Sequence, residues 1–292
     1  MSNLVRAISE NGGVIVYAID STEIIKEMHT LHQTSATASA ALGRLLTGNI
    51  LMSATLKHPQ DSISLRIAGD GPAGILFSEA NGEGEVKGYI ENPLADVDSL
   101  NSGKLNVGEI VGNAGILYVI KDLGLKEPQV GMVPLVSGEI AEDITSYYAN
   151  SEQVPTVCAL GVLVDRDLSV LYAGGYLLQL LPGATDEEIT MLENNIQSMQ
   201  PITKYLQDGK TILDIINDTM RGFNPNILDE QEVHYNCSCG SERFKKSLIA
   251  LGEAELQEIA KENDDIEIKC QFCNKVYHFS ANSLLKEFSY TL

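Results

Sequence analysis

Ser62-Ile63-Ser64-Leu65-Arg66-Ile67-Ala68 places Ile63, Leu65 and Ile67 on one side of an extended chain and Ser64 and Arg66 on the other. A period of two marks a half-buried strand, because successive side chains leave a pleated backbone on opposite faces. The next residues, Gly69-Asp70-Gly71-Pro72, form a turn, and further strand patterns follow at 74–80, 84–90, 115–121, 154–164 and 170–181, with Asn81-Gly82 as another turn signal. Upstream, 22–57 reads mostly as helix, and the small residues from Ser35 to Ala41 suit a helix packed closely on other backbone. Strand and helix runs arranged in this way predict an α+β fold, a mixed sheet-and-helix domain over 1–183.

Gly69-Asp70-Gly71-Pro72-Ala73-Gly74 also matches the G-x-G-x-x-G string of dinucleotide binders. That motif presents amides to a pyrophosphate only where it opens a helix. Here Gly74-Ile75-Leu76-Phe77 continues as a strand, so the expected structure is a hairpin turn. His29 and His32 lie near serines, but no arranged nucleophile, base and orienting acid can be read from the chain, and a hydrolase is unsupported.

The pattern changes after Leu181-Pro182-Gly183. Thr185-Asp186-Glu187-Glu188 fits a capping box, and Ile189, Leu192, Ile196 and Met199 then recur every three or four residues, one narrow apolar stripe on a polar helix. Pro201 ends that helix, 202–206 starts a second, and 211–220 makes a third with Ile212, Ile215 and Ile216. Helices this short must dock on a neighbour to persist in water. Residues 222–232, with Asn224-Pro225-Asn226 and three acids, read as linker. The expected organisation is therefore 1–183, a metastable helical linker over 184–232, and a small C-terminal domain over 233–292.

The 292 residues carry 40 Asp+Glu against 20 Lys+Arg, a formal charge of −20, which argues against nucleic acid or an anionic membrane surface as partner. Residues 233–292 hold 7 basic and 9 acidic residues, so the excess acid lies in the body. At 44% hydrophobic and 21% charged, the composition excludes wholesale disorder. Apolar stretches such as 116–120 are far short of a membrane helix. The first ten residues lack the pattern of a secretory signal, so a cytoplasmic, thiol-reducing location is expected.

In that setting, cysteines read as metal ligands or redox groups before structural disulfides. Cys237-Ser238-Cys239 and Cys270-Gln271-Phe272-Cys273 are two close pairs separated by 30 residues. Zinc takes four soft ligands in a tetrahedron, and two chain-local pairs supply them at little ordering cost. Four reduced core thiols, or a redox dithiol without metal, are the other readings. A domain of this size holds only ~3–9 kcal/mol of net stability, whereas zinc contributes ~10–16 kcal/mol in finger peptides. Removing zinc should therefore unfold 233–292. Zinc thiolates stay oxidisable, so a reversible oxidant switch is physically available. His234 and His278 flank the pairs as substitute ligands, although four cysteines already suffice. Cys158, among apolar neighbours, reads as a small core residue.

Ala41-Leu42-Gly43-Arg44, Gly69-Asp70-Gly71-Pro72, Gly88-Tyr89, Val136-Ser137-Gly138-Glu139, Ser151-Glu152-Gln153-Val154-Pro155-Thr156, Ala173-Gly174-Gly175 and the two cysteine pairs together make the chain resemble, over nearly its full length, the bacterial redox-regulated chaperones of the heat shock protein 33 family. The resemblance implies that Cys237, Cys239, Cys270 and Cys273 hold one zinc ion in a reduced, inactive form. It implies that oxidation forms Cys237–Cys239 and Cys270–Cys273 disulfides, releases zinc and activates an ATP-independent holdase, not an enzyme, that is often dimeric and takes unfolding proteins as clients. Ile189, Leu192, Ile196, Met199, Ile212, Ile215 and Ile216 are then the candidate client-binding residues, bared when the tail domain unfolds. A zinc-ribbon nucleic-acid module would need a basic face. A thiol-disulfide oxidoreductase also uses C-x-x-C, but this chain has no Trp and Cys270-Gln271-Phe272-Cys273 has no adjacent proline.

Overall fold

The computed structural model describes residues 2–288, so the last four residues of the expected C-terminal domain lie outside the described residues. The chain divides into two compact units, one ending at Asn236 and the other beginning at Cys237.

The first unit is built on β1 (Ser2–Ile8), β2 (Val14–Asp20), β3 (Ser62–Ala68), β4 (Ile75–Asn81), β5 (Glu85–Ile90), β6 (Ile116–Asp122), β7 (Gln129–Pro134), β8 (Thr156–Val164), β9 (Val170–Leu180) and β10 (Asn226–Tyr235). Among the described residues these form one ten-stranded sheet in the order β7-β6-β3-β4-β5-β10-β1-β2-β9-β8. Its helices are α1 (Thr22–His32), α2 (Ala36–Ser53), α3 (Val107–Val111), α4 (Ala141–Tyr147), α5 (Asp186–Gln197), α6 (Ile202–Gln207) and α7 (Ile212–Thr219). The fold is α+β, as the strand and helix patterns predict.

Alternation governs the β7-to-β5 half, where β3, β4 and β5 bury every second residue. In β2 every residue from Val14 to Ile19 is buried. Ile15, Tyr17 and Ile19 enter the main core, while Val14, Val16 and Ala18 enter a second core on the opposite face. A strand covered on both sides reads as a continuous apolar run rather than an alternating one. Helix α2 is buried at every position from Thr37 to Ser53 except Arg44. Its glycines admit neighbouring side chains: a Cβ on Gly48 would lie 2.5 Å from Ile144 Cδ1. The G-x-G-x-x-G match is the β3–β4 turn, and a Cβ on Gly71 would lie 2.3 Å from Ile110 O, so the turn is pressed onto the end of α3.

Helices α6 and α7 pack on β8–β9 and β1–β2 respectively, with α5 against α7. The Thr185–Glu188 capping box forms at α5, and Thr211 and Asp214 make another at α7. The linker reading of 222–232 differs from the structure. Asn226–Tyr235 is strand β10, antiparallel to β1 from Ser2↔Val233 to Ile8↔Asn226 and parallel to β5 at His234↔Glu85 and Tyr235↔Val86. Its first residues are exposed and acidic, so local hydropathy does not announce a strand whose main pairing, with β1, is made more than two hundred residues away. Segment 184–232 thus lies within the first unit, its helices docked on the sheet.

The second unit comprises α8 (Ser241–Ile249), α9 (Glu253–Glu262), β11 (Asp265–Lys269), β12 (Val276–Ser280) and α10 (Ala281–Phe288). Strands β11 and β12 form an antiparallel hairpin from Asp265↔Ser280 to Lys269↔Val276. Its core centres on Leu248, Leu256, Phe279 and Leu284, a small apolar interior for a unit of this length.

Candidate metal centre

The turn between β11 and β12 carries Cys270 and Cys273. Cys270 N donates to Lys275 O at 2.9 Å, and Asn274 N donates to Cys270 O at 2.9 Å. Asn274 takes the left-handed conformation at φ 58°, which asparagine tolerates better than most residues and which closes the turn. This geometry buries both thiols at the hairpin tip. Cys237 and Cys239 come from the loop before α8, and the four Sγ atoms lie within 4.8 Å of one another.

The short contacts run between the pairs: Cys237 Sγ to Cys270 Sγ is 3.6 Å and Cys239 Sγ to Cys273 Sγ is 3.3 Å. A tetrahedron with ~2.3 Å zinc–sulfur bonds sets its sulfurs about 3.8 Å apart. The donor set and its spacing therefore fit zinc, and the four cysteines could hold the ion. All five cysteines of the chain are free thiols here.

Burial opposes ionisation of the Cys239 thiol, but hydrogen bonds involving Tyr277, Cys273, Cys237 and Cys270 together outweigh it and bring the thiol down to about 7. Burial pushes Cys237 and Cys273 up, and hydrogen bonds with the Cys239 and Cys270 thiols add to the rise. Tyr277 Oη lies 3.2 Å from Cys239 Sγ, and its ring packs against Phe244 of α8 with centroids 5.0 Å apart. Sequence reasoning passed over Tyr277. Its only signal is its position four residues after Cys273, on the strand that leaves the turn.

The flanking histidines stand outside the cluster. His234 faces Glu85 in the first unit, with 4.0 Å between Nε2 and Oε1, and His278 pairs with Asp265 at 3.2 Å. Among the described residues the metal-competent group contains the four cysteines alone. Cys158 is partly buried beside the main core, and burial pushes its thiol up to about 12, a protonated and unreactive state at neutral pH. His29 Nδ1 lies 3.2 Å from Thr34 Oγ1 and 3.1 Å from Ser39 Oγ, a polar cluster within the fold.

The apolar stripes of 184–220 close over the sheet. Leu192, Ile215 and Ile216 are buried with Val5, Val14, Val16, Tyr176 and Leu178, and Ile196, Met199 and Ile212 pack at the margin. Ile189 is half-buried.

An α+β body followed by a small unit built around four converged thiols defines a protein whose distinguishing chemistry lies in cysteine sulfur. A family model described as Hsp33 protein matches residues 2–280, and the chain belongs to that family. It is 44% identical over 283 residues to the 33 kDa chaperonin of Clostridioides difficile, with 97% of each chain covered. It is 43% identical over 284 residues to the 33 kDa chaperonin of Bacillus licheniformis, covering 97% of this chain and 98% of that one. The crystal structure of the 33 kDa chaperonin (heat shock protein 33 homolog) from Thermotoga maritima superposes with a TM-score of 0.91 at 34% identity and covers 99% of both chains. These relatives are named as chaperonins rather than by a reaction. No described helix is long and apolar enough to cross a membrane.

Proposed function

We propose that this chain is a redox-regulated holdase of the cytoplasm. It binds thermally unfolding or oxidatively damaged proteins without ATP, and it is inactive while Cys237, Cys239, Cys270 and Cys273 are reduced and hold zinc. The observation that carries the reading is the convergence of four free thiols within 4.8 Å in a unit with so small an apolar core.

When bound, zinc supplies a dication that neutralises the thiolates and a cross-link that stabilises the second unit. Oxidation removes the donor set: each pair of thiolates, Cys237 with Cys239 and Cys270 with Cys273, gives two electrons to a peroxide and closes a disulfide, while the O–O bond breaks and the two oxygens leave as hydroxide that solvent protonates to water. Without its four-point staple the second unit unfolds. Cys237 follows Tyr235 by two residues, so that unfolding frees the end of β10, the strand that succeeds α7. Release of α5–α7 then bares Ile189, Leu192, Ile196, Met199, Ile212, Ile215 and Ile216, together with the sheet face beneath them. Burial of apolar client surface there is favourable, and the acidic body keeps the complex dispersed. The active form is a homodimer.

The test is light scattering from a heat-unfolding protein mixed with reduced, zinc-loaded chain or with peroxide-treated chain. Suppression of aggregation should follow oxidation and zinc loss. Equal suppression by both samples would overturn the reading.

A further inference from the structure

Helix α5 meets the β1–β2 turn around a cavity of about 240 Å³ lined by Glu10, Asn11, Glu188, Met191, Phe223 and Asn224. Its polar groups form a clasp. Asn11 Nδ2 donates to Glu188 Oε1, Asn224 Nδ2 donates to Glu10 Oε2 at 2.9 Å, and Glu10 N donates to Phe223 O at 3.1 Å. The other Glu188 oxygen accepts from Thr185 N at 2.8 Å, so one carboxylate both caps α5 and ties it to the turn. Met191 is the apolar member. It is 40% exposed, and a Cβ on Gly222, whose φ is +90°, would lie 2.7 Å from Met191 Sδ. The sulfur therefore rests against backbone that only glycine leaves bare.

We propose that Met191 is an oxidation site: a peroxide converts its thioether to the sulfoxide, and the new oxygen undocks α5 from the β1–β2 turn. The sulfur lone pair attacks the peroxide, the O–O bond breaks, one oxygen bonds to sulfur and the other leaves as water. Sulfur loses the two electrons that the peroxide gains, and no proton is left over.

Accessibility selects the residue. Met28, Met52 and Met220 are fully buried, and Met199 Sδ accepts a hydrogen bond from Tyr205 Oη at 3.4 Å. Met132, 60% exposed on β7, is open to oxidant but lies far along the sheet order from the clasp. At Met191 the product changes the local balance, because a sulfoxide is polar where a thioether was apolar. Its oxygen competes with Glu188 and Glu10 for the Asn11 and Asn224 amides in the same cavity. It also ends the apolar fit of the sulfur on Gly222. This inference concerns the docking of α5 and rests on neither the metal nor the holdase reading.

The experiment treats the reduced, zinc-supplied full chain with hydrogen peroxide, then restores thiols and metal with dithiothreitol and zinc, which leaves sulfoxide in place. Peptide mass spectrometry reads oxygen on Met191, and amide exchange reads 186–197. Wild type should carry the oxygen and exchange about fivefold faster over 186–197 than untreated protein, and methionine sulfoxide reductases should reverse both changes. M191L, a volume-conserving swap, should show no rise, whereas M132L should keep it. Wild-type Met191 that stays unmodified while Met132 is oxidised, or that carries the oxygen with exchange unchanged, overturns the proposal. Should M191L fail to dock α5 even before peroxide, the reductase reversal on wild type decides alone.

Discussion

Cys239 Sγ and Cys273 Sγ lie 3.3 Å apart although they stand 34 positions apart in the chain. The contact joins the loop before α8 to the tip of the β11–β12 hairpin, and Cys237 with Cys270 repeats it at 3.6 Å. Four-thiol coordination draws on both segments, whereas a disulfide within each pair would leave the two segments without a shared bond. The same sulfurs can thus close the second unit in one state and stop holding it in the other.

Replacing Cys270 with serine substitutes a harder oxygen for one buried sulfur. Zinc affinity should fall by about a hundredfold or more, since zinc favours the thiolate. Amide exchange across β11 and β12 should rise without oxidant. A chromophoric zinc-competition assay checks the first effect and hydrogen exchange the second. A variant that stays metal-loaded and protected would contradict the ligand assignment.

Chelating zinc from the reduced chain should unfold the second unit while leaving the centre of the large sheet intact. The metal contribution of ~10–16 kcal/mol exceeds the ~3–9 kcal/mol that a unit of this size holds in reserve. Strand β2, buried on both faces, should keep its amide protection while residues 265–280 lose theirs.

Ile215 is fully buried where α7 meets β1 and β2. Ile215→Ala leaves a cavity in that contact and should cost ~2–5 kcal/mol, enough to loosen the cover. Reduced, zinc-loaded variant should therefore suppress aggregation of a heat-unfolding protein better than reduced wild type. Indistinguishable light-scattering curves would sink the idea that these stripes mask the client surface.

Glu152 accepts hydrogen bonds from Lys121 Nζ at 2.6 Å and from Tyr147 Oη. Burial alone raises its carboxyl, but the Lys121 and Tyr147 hydrogen bonds and the Lys121 charge outweigh it, so the folded-state value lies below the ordinary one. A depressed folded pKa contributes stability that is complete above the unfolded value of about 4.3 and is lost as pH falls through the folded value. Unfolding midpoints of the first unit in urea should fall from roughly pH 5 downward, and Glu152→Gln should flatten that slope. Equal slopes in the two proteins would remove Glu152 as a source.

Ser62–Ala68 and the other alternating strands, the long buried helix, the Thr185 capping box and the cysteine pairs could all be read locally. Each depends on periods of two or 3.6, or on spacings of a few residues, that survive without a partner. Strand β10 could not be read this way. Asp229, Glu230 and Glu232 look like linker, and their segment is a strand because β1 offers it unpaired backbone. Strands β1 and β2 escaped too, the latter because burial on both faces removes alternation. The β7 edge strand gives little more: Val130 and Met132 are exposed, and within the strand Val133 alone is buried in the main core, too few inward residues to make an alternation.

The cysteine spacing by itself determined that four thiols were available in two local pairs, because donor type and chain proximity are properties of the covalent chain. Tertiary structure decided that Cys237 meets Cys270, that Tyr277 stands against Cys239, and that the stripes of α5–α7 are covered by β1, β2 and β9. Those contacts are made between residues distant in the chain. Their energy comes from burial and mutual orientation, quantities that exist only once the chain has folded.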